Sequence, residues 1–137
     1  MTYSIVYISS AADSLTKNDI QDVFNFTLDW NLDNNISGFL VYKNQSFIQL
    51  LEGDEQVLKE LFERIKNDER HCNIIPIIQQ NLPYKSFEGY QTSFLVSNTD
   101  KLQRELIDYL DYIKLLENKE INKMISTVEK ILKAMYS

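Results

Sequence analysis

Apolar residues fall into short strand-like runs over the first part of the chain, and after Asn98 they step steadily by four and three. That change of period separates a sheet-forming region from a purely helical one. Thr2 to Ser9 predicts a first strand, apolar on one face through Tyr3, Ile5 and Tyr7 and on the other through Val6 and Ile8, so it belongs inside its sheet. Thr16 with Asp19 three residues on has the form of a capping box, and it opens a helix whose stripe is Ile20, Val23, Phe24 and Thr27. Four residues further the same stripe reaches Asn31, so the inner face turns polar as the helix ends. Such a helix covers something other than hydrocarbon.

Ser37 to Tyr42 and Ser46 to Leu51, joined by Lys43-Asn44-Gln45, predict a hairpin. Gly53-Asp54 starts a second helix with Leu58, Leu61, Phe62 and Ile65 at helical spacing, and Asn67 to Asn73 is its polar exit. Asn73 to Gln79 is nearly continuous apolar sequence broken by Pro76, which suits an edge strand or a bulge. Tyr90 to Val96 predicts a last strand. The order is α+β, a ferredoxin-like βαββαββ sheet with two helices on one face. Leu102, Leu106, Tyr109, Ile113 and Leu116, then Ile121, Ile125, Val128, Leu132 and Met135, predict two further helices meeting near Asn118. Residues 1–97 therefore form the sheet unit and 98–137 a helical extension packed on its other face, with partner contact as the alternative use of that extension.

Composition narrows the class. The 137 residues suffice for one core, and a net charge of -6 disfavours nucleic acid or an anionic membrane as partner. A single cysteine, Cys72, and a single histidine, His71, leave no internal disulfide and no zinc cage, and Cys72 reads as an inert buried thiol. With no signal-peptide pattern and no apolar run of membrane-spanning length, a cytoplasmic protein is expected.

The hairpin carries the most informative residue. On its second strand Phe47, Gln49 and Leu51 share one face and Ile48 and Leu50 the other, so a carboxamide sits where both faces are apolar. Its two donors and its acceptor need partners, at a cost of about 1 to 3 kcal/mol for each unmet group. Gln49 either bonds neighbouring backbone or faces something polar. Taken singly, Tyr7 reads as a core tyrosine, Asn31 as a helix cap, Ile65 as part of its stripe, and Arg70 and His71 as a solvated helix exit.

Taken together, several separated motifs resemble the BLUF family of blue-light sensors using FAD. They are VYIS with Tyr7, Asn31 seven residues before Gly38, the ISG-to-LLEG hairpin with Gln49, DERH at Asp68 to His71, and FEGY at Phe87 to Tyr90. The resemblance covers roughly Thr2 to Val96. It implies a flavin between the two sheet-packed helices, with Tyr7 as electron and proton donor and Gln49 as the bridge that rotates or tautomerises. Asn31 would hold the pyrimidine edge, Ile65 would line the apolar side of the ring, and Arg64, Asp68, Arg70 and His71 would serve the ribityl and phosphate side. A carboxamide suits a switch because its ends have similar shape and opposite hydrogen-bond character. Trp30 would stack on the flavin or staple the helix to the core.

The chain departs from the family at two relay positions, Tyr90, where tryptophan is common, and Thr92, where methionine is usual. A shorter side chain at Thr92 leaves room for water near Gln49 and motivates a dark recovery that slows on Thr92→Met. The expected protein is a photoreceptor and not an enzyme, binding FAD, FMN or riboflavin. It signals to an unidentified protein partner and forms a homo-oligomer. The alternatives are an interaction module of the same fold with weak or lost photochemistry, and an acyl-phosphate hydrolase. The hydrolase lacks a glycine-rich anion loop and a nucleophile with its base.

Overall fold

The computed structural model describes residues 1–90, 94–97 and 99–136, Ser97 by its backbone alone. Its elements run β1 (Thr2–Ala11), α1 (Lys17–Asp33), β2 (Ser37–Lys43), β3 (Ser46–Gly53), α2 (Glu55–Lys66), β4 (His71–Leu82), β5 (Phe94–Ser97), α3 (Asp100–Lys114) and α4 (Lys119–Met135). The sheet order is β4-β1-β3-β2-β5. The first four strands pair antiparallel in the ferredoxin-like order, and β5 adds parallel to β2.

Local chemistry sets each boundary. Thr16 and Asp19 close a full capping box at α1, Asp54 caps α2 through the Val57 amide, and Asn118 caps α4 through the Ile121 amide. The hairpin turns on Asn44 and Gln45, with φ of 51° and 61°, the left-handed pair of a tight primed turn. Gly38 is required in β2: its φ is +139°, and a Cβ there would lie 2.0 Å from the Leu50 carbonyl oxygen. β4 takes the edge with Pro76 opposite Tyr7 and register shifts on either side of the Tyr7–Ile8 pair, so the missing proline donor falls at an irregularity.

The sheet is covered on both faces. α1 and α2 pack over Tyr3, Ile5, Tyr7, Leu40, Phe47 and Leu51 with Ile20, Phe24, Leu58 and Phe62. α3 and α4 pack over Val6, Phe39, Val41, Ile48 and Leu50 with Leu106, Leu110, Ile113, Ile121, Ile125 and Val128.

Four expectations need correction. β4 starts at His71 rather than Asn73 and runs to Leu82, because pairing with all of β1 extends it at both ends. Described β5 begins at Phe94, and Tyr90 lies in the bend before it, where its amide donates to Phe87 O. The buried α3 positions include Leu110, whereas Leu116 is past the helix end and 51% exposed. Cys72 is exposed, because the edge strand leaves it uncovered. Thr92 lies outside the described residues.

Candidate functional site

Between α1 and α2, above β1 and β3, the sheet face opens into a cavity of about 220 Å³. Tyr7, Asn31, Gln49, Arg64, Ile65, Asp68, Arg70 and His71, separated widely in sequence, all line it. Register explains the floor. Tyr7 on β1 is the direct cross-strand partner of Gln49 on β3, so both side chains rise on the same face. Both are buried, at 4% and 3% exposure. The Tyr7 hydroxyl donates to Gln49 Oε1, a direct and short contact. With its oxygen taken by Tyr7, the carboxamide has two amide hydrogens for another acceptor. Burial, and then the Asp68 charge, push the Tyr7 hydroxyl well above the usual tyrosine range, so it stays a proton donor.

Asn31 closes the α1 side. It is 2% exposed, and its Nδ2 is buried with no hydrogen-bond partner. A buried amide donor without a partner costs about 1 to 3 kcal/mol, so a group that accepts from it here is strongly favoured. The Asn31 carbonyl accepts from the Ile36 amide at 2.8 Å, which anchors the end of α1 to the start of β2.

The opposite end is cationic and aromatic. Arg64 stacks over Trp30 at 5.7 Å and Arg70 over Phe26 at 5.9 Å. Arg70 is also forked onto Asp68, with Nη2 to Oδ2 at 2.6 Å and Nε to Oδ1 at 3.0 Å. The hydrogen bonds from Arg70 hold the Asp68 carboxyl below its ordinary range, against partial burial. His71, the first residue of β4, is no loose helix exit. Its Nε2 donates to Ile65 O at 2.5 Å, which leaves Nδ1 to accept from Ser9 Oγ at 2.9 Å, the tautomer assignment following from the carbonyl partner. The imidazole thereby ties α2 to β1 beside Tyr7. Trp30 is half-buried, lines the cavity and carries Arg64.

Tyr90 stands apart. It packs against the core beneath α3 and its hydroxyl donates to Glu105 at 3.2 Å, so it lies on the far sheet face from Gln49. A second buried polar group went unnoticed in the sequence. Glu52 on β3 is fully buried and accepts from Ser37 Oγ, from Ser86 N and Oγ, and from Phe87 N, at 2.6 to 3.0 Å. The alternation that singled out Gln49 also places Glu52 on a strand buried on both faces, and was the available signal. Among the described residues no group of three or more His, Cys, Asp or Glu side chains is placed to hold a metal ion.

A cavity lined by buried polar side chains thus opens on one face of the sheet, and the family profile described as sensors of blue-light using FAD matches residues 2–93. The chain belongs to the BLUF family of flavin-based blue-light sensors. It is 28% identical over 87 residues to the blue light- and temperature-regulated antirepressor BluF of Escherichia coli K12, covering 64% of this chain and 22% of that one. Photoactivated adenylate cyclase subunit alpha of Euglena gracilis matches at 30% identity over 74 residues, 54% of this chain and 7% of that protein. The chain thus spans under a quarter of these two relatives. BlsA in its photo-activated state superposes with a TM-score of 0.65 at 28% identity, covering 91% of each chain.

Proposed function

We propose that this chain senses blue light through a bound flavin, with Tyr7 and Gln49 as the photoactive pair and α3 and α4 as the read-out. The observation that carries the reading is the cavity itself. Its floor is a tyrosine donating to a glutamine, and its wall holds the unpartnered Asn31 Nδ2. A flavin ring edge carries carbonyl and ring-nitrogen acceptors, which match both that donor and the amide hydrogens of Gln49. Ile65 and Leu61 face the cavity from α2 as apolar walls for the ring, and the Arg64, Asp68, Arg70 and His71 end suits ribityl hydroxyls and a phosphate.

The flavin, when bound, would supply the absorption of blue light and a transient demand for an electron and a proton. Tyr7 would give up an electron and its hydroxyl proton and recover both afterwards; Gln49 Oε1 lies in contact to accept that proton while the Gln49 amide releases one of its own hydrogens to the acceptor it faces. Turnover of the Gln49 carboxamide then exchanges its oxygen and nitrogen ends, so that a donor replaces an acceptor at the Tyr7 side. The neighbouring apolar packing is preserved while the hydrogen-bond pattern inverts. Phe62 at 5.4 Å and His71 at 6.3 Å from the Tyr7 ring keep the phenol in place through the exchange.

Residues 1–97 constitute the light-sensing unit in this reading, and residues 98–137 convert its state into altered contacts with a signalling protein or a second copy. No catalytic role is assigned to the chain. FAD is the preferred cofactor, with FMN or riboflavin compatible because the shared ring and ribityl chain make the contacts named above. No described helix is long and apolar enough to cross a membrane, and a cytoplasmic site of action fits that. The test is an absorption spectrum of the purified protein before and after blue light. A yellow protein with a reversible red shift is expected; a protein that refuses added flavin refutes the reading. Colour without a reversible shift would select a flavin-binding interaction module of the same fold.

A further inference from the structure

Resting on that reading, we propose that Glu52 is a two-seat latch through which β3 controls the 84–90 loop and α3. Glu52 lies three residues beyond Gln49 on β3, about 10 Å along the strand and on the opposite sheet face. All four of its partners donate: Ser37 Oγ at 3.0 Å, Ser86 N at 2.7 Å, Ser86 Oγ at 2.6 Å and Phe87 N at 2.8 Å. A set made only of donors holds a carboxylate, and the consecutive Ser86 and Phe87 amides form a backbone nest for it. Burial pushes the Glu52 carboxyl up, and those bonds counter the push.

The loop it grips touches α3. Ser86 O accepts from the Tyr109 hydroxyl of α3 at 2.8 Å, and the Phe87 and Tyr109 rings meet tilted, with centroids 4.9 Å apart. The Glu52 charge, after burial, helps push the Tyr109 hydroxyl up to about 12, so the two groups feel one another.

The second seat is on β1. Ser4 is the direct cross-strand partner of Glu52, on the same face of the sheet, and its Oγ is buried with no hydrogen-bond partner. Side chains so paired lie within reach of each other. The carboxylate therefore has occupied donors on the loop, at Ser86 and Phe87, and on β2, at Ser37, and a vacant donor on the β1 side. Tyr7 and Gln49 sit on those same two strands, at their own cross-strand pair. When the Gln49 amide exchanges its ends, the seating of β3 on β1 changes, and the carboxylate moves from the Ser86–Phe87 nest toward Ser4. The loop loosens from the sheet and Tyr109 carries the change into α3.

The experiment uses the full chain loaded with FAD and compares hydrogen exchange over 84–90 and α3 in dark and light, alongside the absorption change. Ser4→Ala removes the vacant seat without breaking any dark-state bond. It should keep the red shift and the dark melting temperature, yet cut the light-induced exchange difference at least threefold. Glu52→Gln places an amide donor against donors. It should keep the red shift while fixing 84–90 in its loosened, fast-exchanging form in the dark. Should Glu52→Gln not fold, Ser4→Ala decides alone. A purely structural Glu52 would lower stability and leave the wild-type exchange difference in Ser4→Ala, and that result overturns the latch. A wild-type chain with no red shift overturns the sensor reading and the latch with it, whereas a red shift without exchange change at 84–90 overturns the latch alone.

Discussion

Gln49 and Glu52 share a strand, yet the two faces of the sheet treat them oppositely. On the α1–α2 face, Gln49 looks into open volume beside an asparagine whose amide nitrogen has no partner. On the α3–α4 face, Glu52 is enclosed, and four donors converge on its carboxylate. A polar network left incomplete around a cavity is set up for a ligand. One closed on itself fixes the position of a loop. Burial alone does not mark a binding site, and neither does an unmet polar atom alone, since Ser4 Oγ beside Glu52 also lacks a partner; what sets the open face apart is that the unmet Asn31 amide belongs to a residue lining a cavity.

The largest expected effect comes from emptying the open network. Gln49→Leu removes the exchanging amide and Tyr7→Phe removes the phenolic proton, so either should abolish the reversible red shift while flavin stays bound. Light-minus-dark spectra of the two variants check this, and a normal photocycle in either would assign its role elsewhere.

The closed face should respond in stability instead. Leu110→Ala, at a fully buried position beneath α3, should cost about 2 to 5 kcal/mol and lower the melting temperature by about 10 °C. The dark absorption spectrum should not move, since Leu110 belongs to the core on the other side of the sheet. Calorimetry and a spectrum on the same sample distinguish the faces.

Asn31 sharpens the contrast, because its Nδ2 makes no bond within the chain. Asn31→Leu should weaken flavin binding by about 1 to 3 kcal/mol, roughly 5- to 150-fold in affinity, by removing a donor available to the ligand. The ligand-free protein should lose no stability, since the orphaned donor is removed along with its desolvation cost. A fall in apo stability with unchanged affinity would make Asn31 an ordinary structural residue.

Much of this was legible in the chain, for reasons that differ by element. Period and capping gave α1, because Thr16 and Asp19 act locally and the stripe ends at Asn31. Gln49 stood out because an amide interrupts a strand apolar on both faces. Glu52 escaped because its place just before Gly53 looks like a strand end turning to solvent, and only the return of the 84–90 loop encloses it. Cys72 was misplaced because the edge position that Pro76 suggested was not extended to the start of β4, where Cys72 lies on the same edge strand. Tyr109 was preferred to Leu110 on the α3 stripe because both continue the spacing from Leu106, and packing beneath the helix alone separates them.

The smallest effect separates two arginines that the sequence treated alike. Arg70 is forked onto Asp68, so its charge is largely answered within the protein, whereas Arg64 stacks on Trp30 and is the freer cation at the mouth. A ligand phosphate should therefore depend on Arg64 more than on Arg70. Arg64→Gln should weaken FMN relative to riboflavin by no more than about fivefold, the scale of a partly exposed ion pair, and Arg70→Gln by less. Asp68→Asn releases Arg70 and should strengthen FMN binding while leaving riboflavin unchanged. The pH dependence has a definite sign. Because the folded state lowers the Asp68 carboxyl, the fork is intact above the ordinary carboxylate range near about 4 and is lost as pH falls through the lowered value. Between neutral pH and that range the preference for FMN over riboflavin should thus follow only the second ionisation of the FMN phosphate, near about 6, and not the fork. Titrations of the two flavins, for the wild type and the three variants, check the ordering, and equal losses from Arg64→Gln and Arg70→Gln would mean that the fork does not shield its arginine.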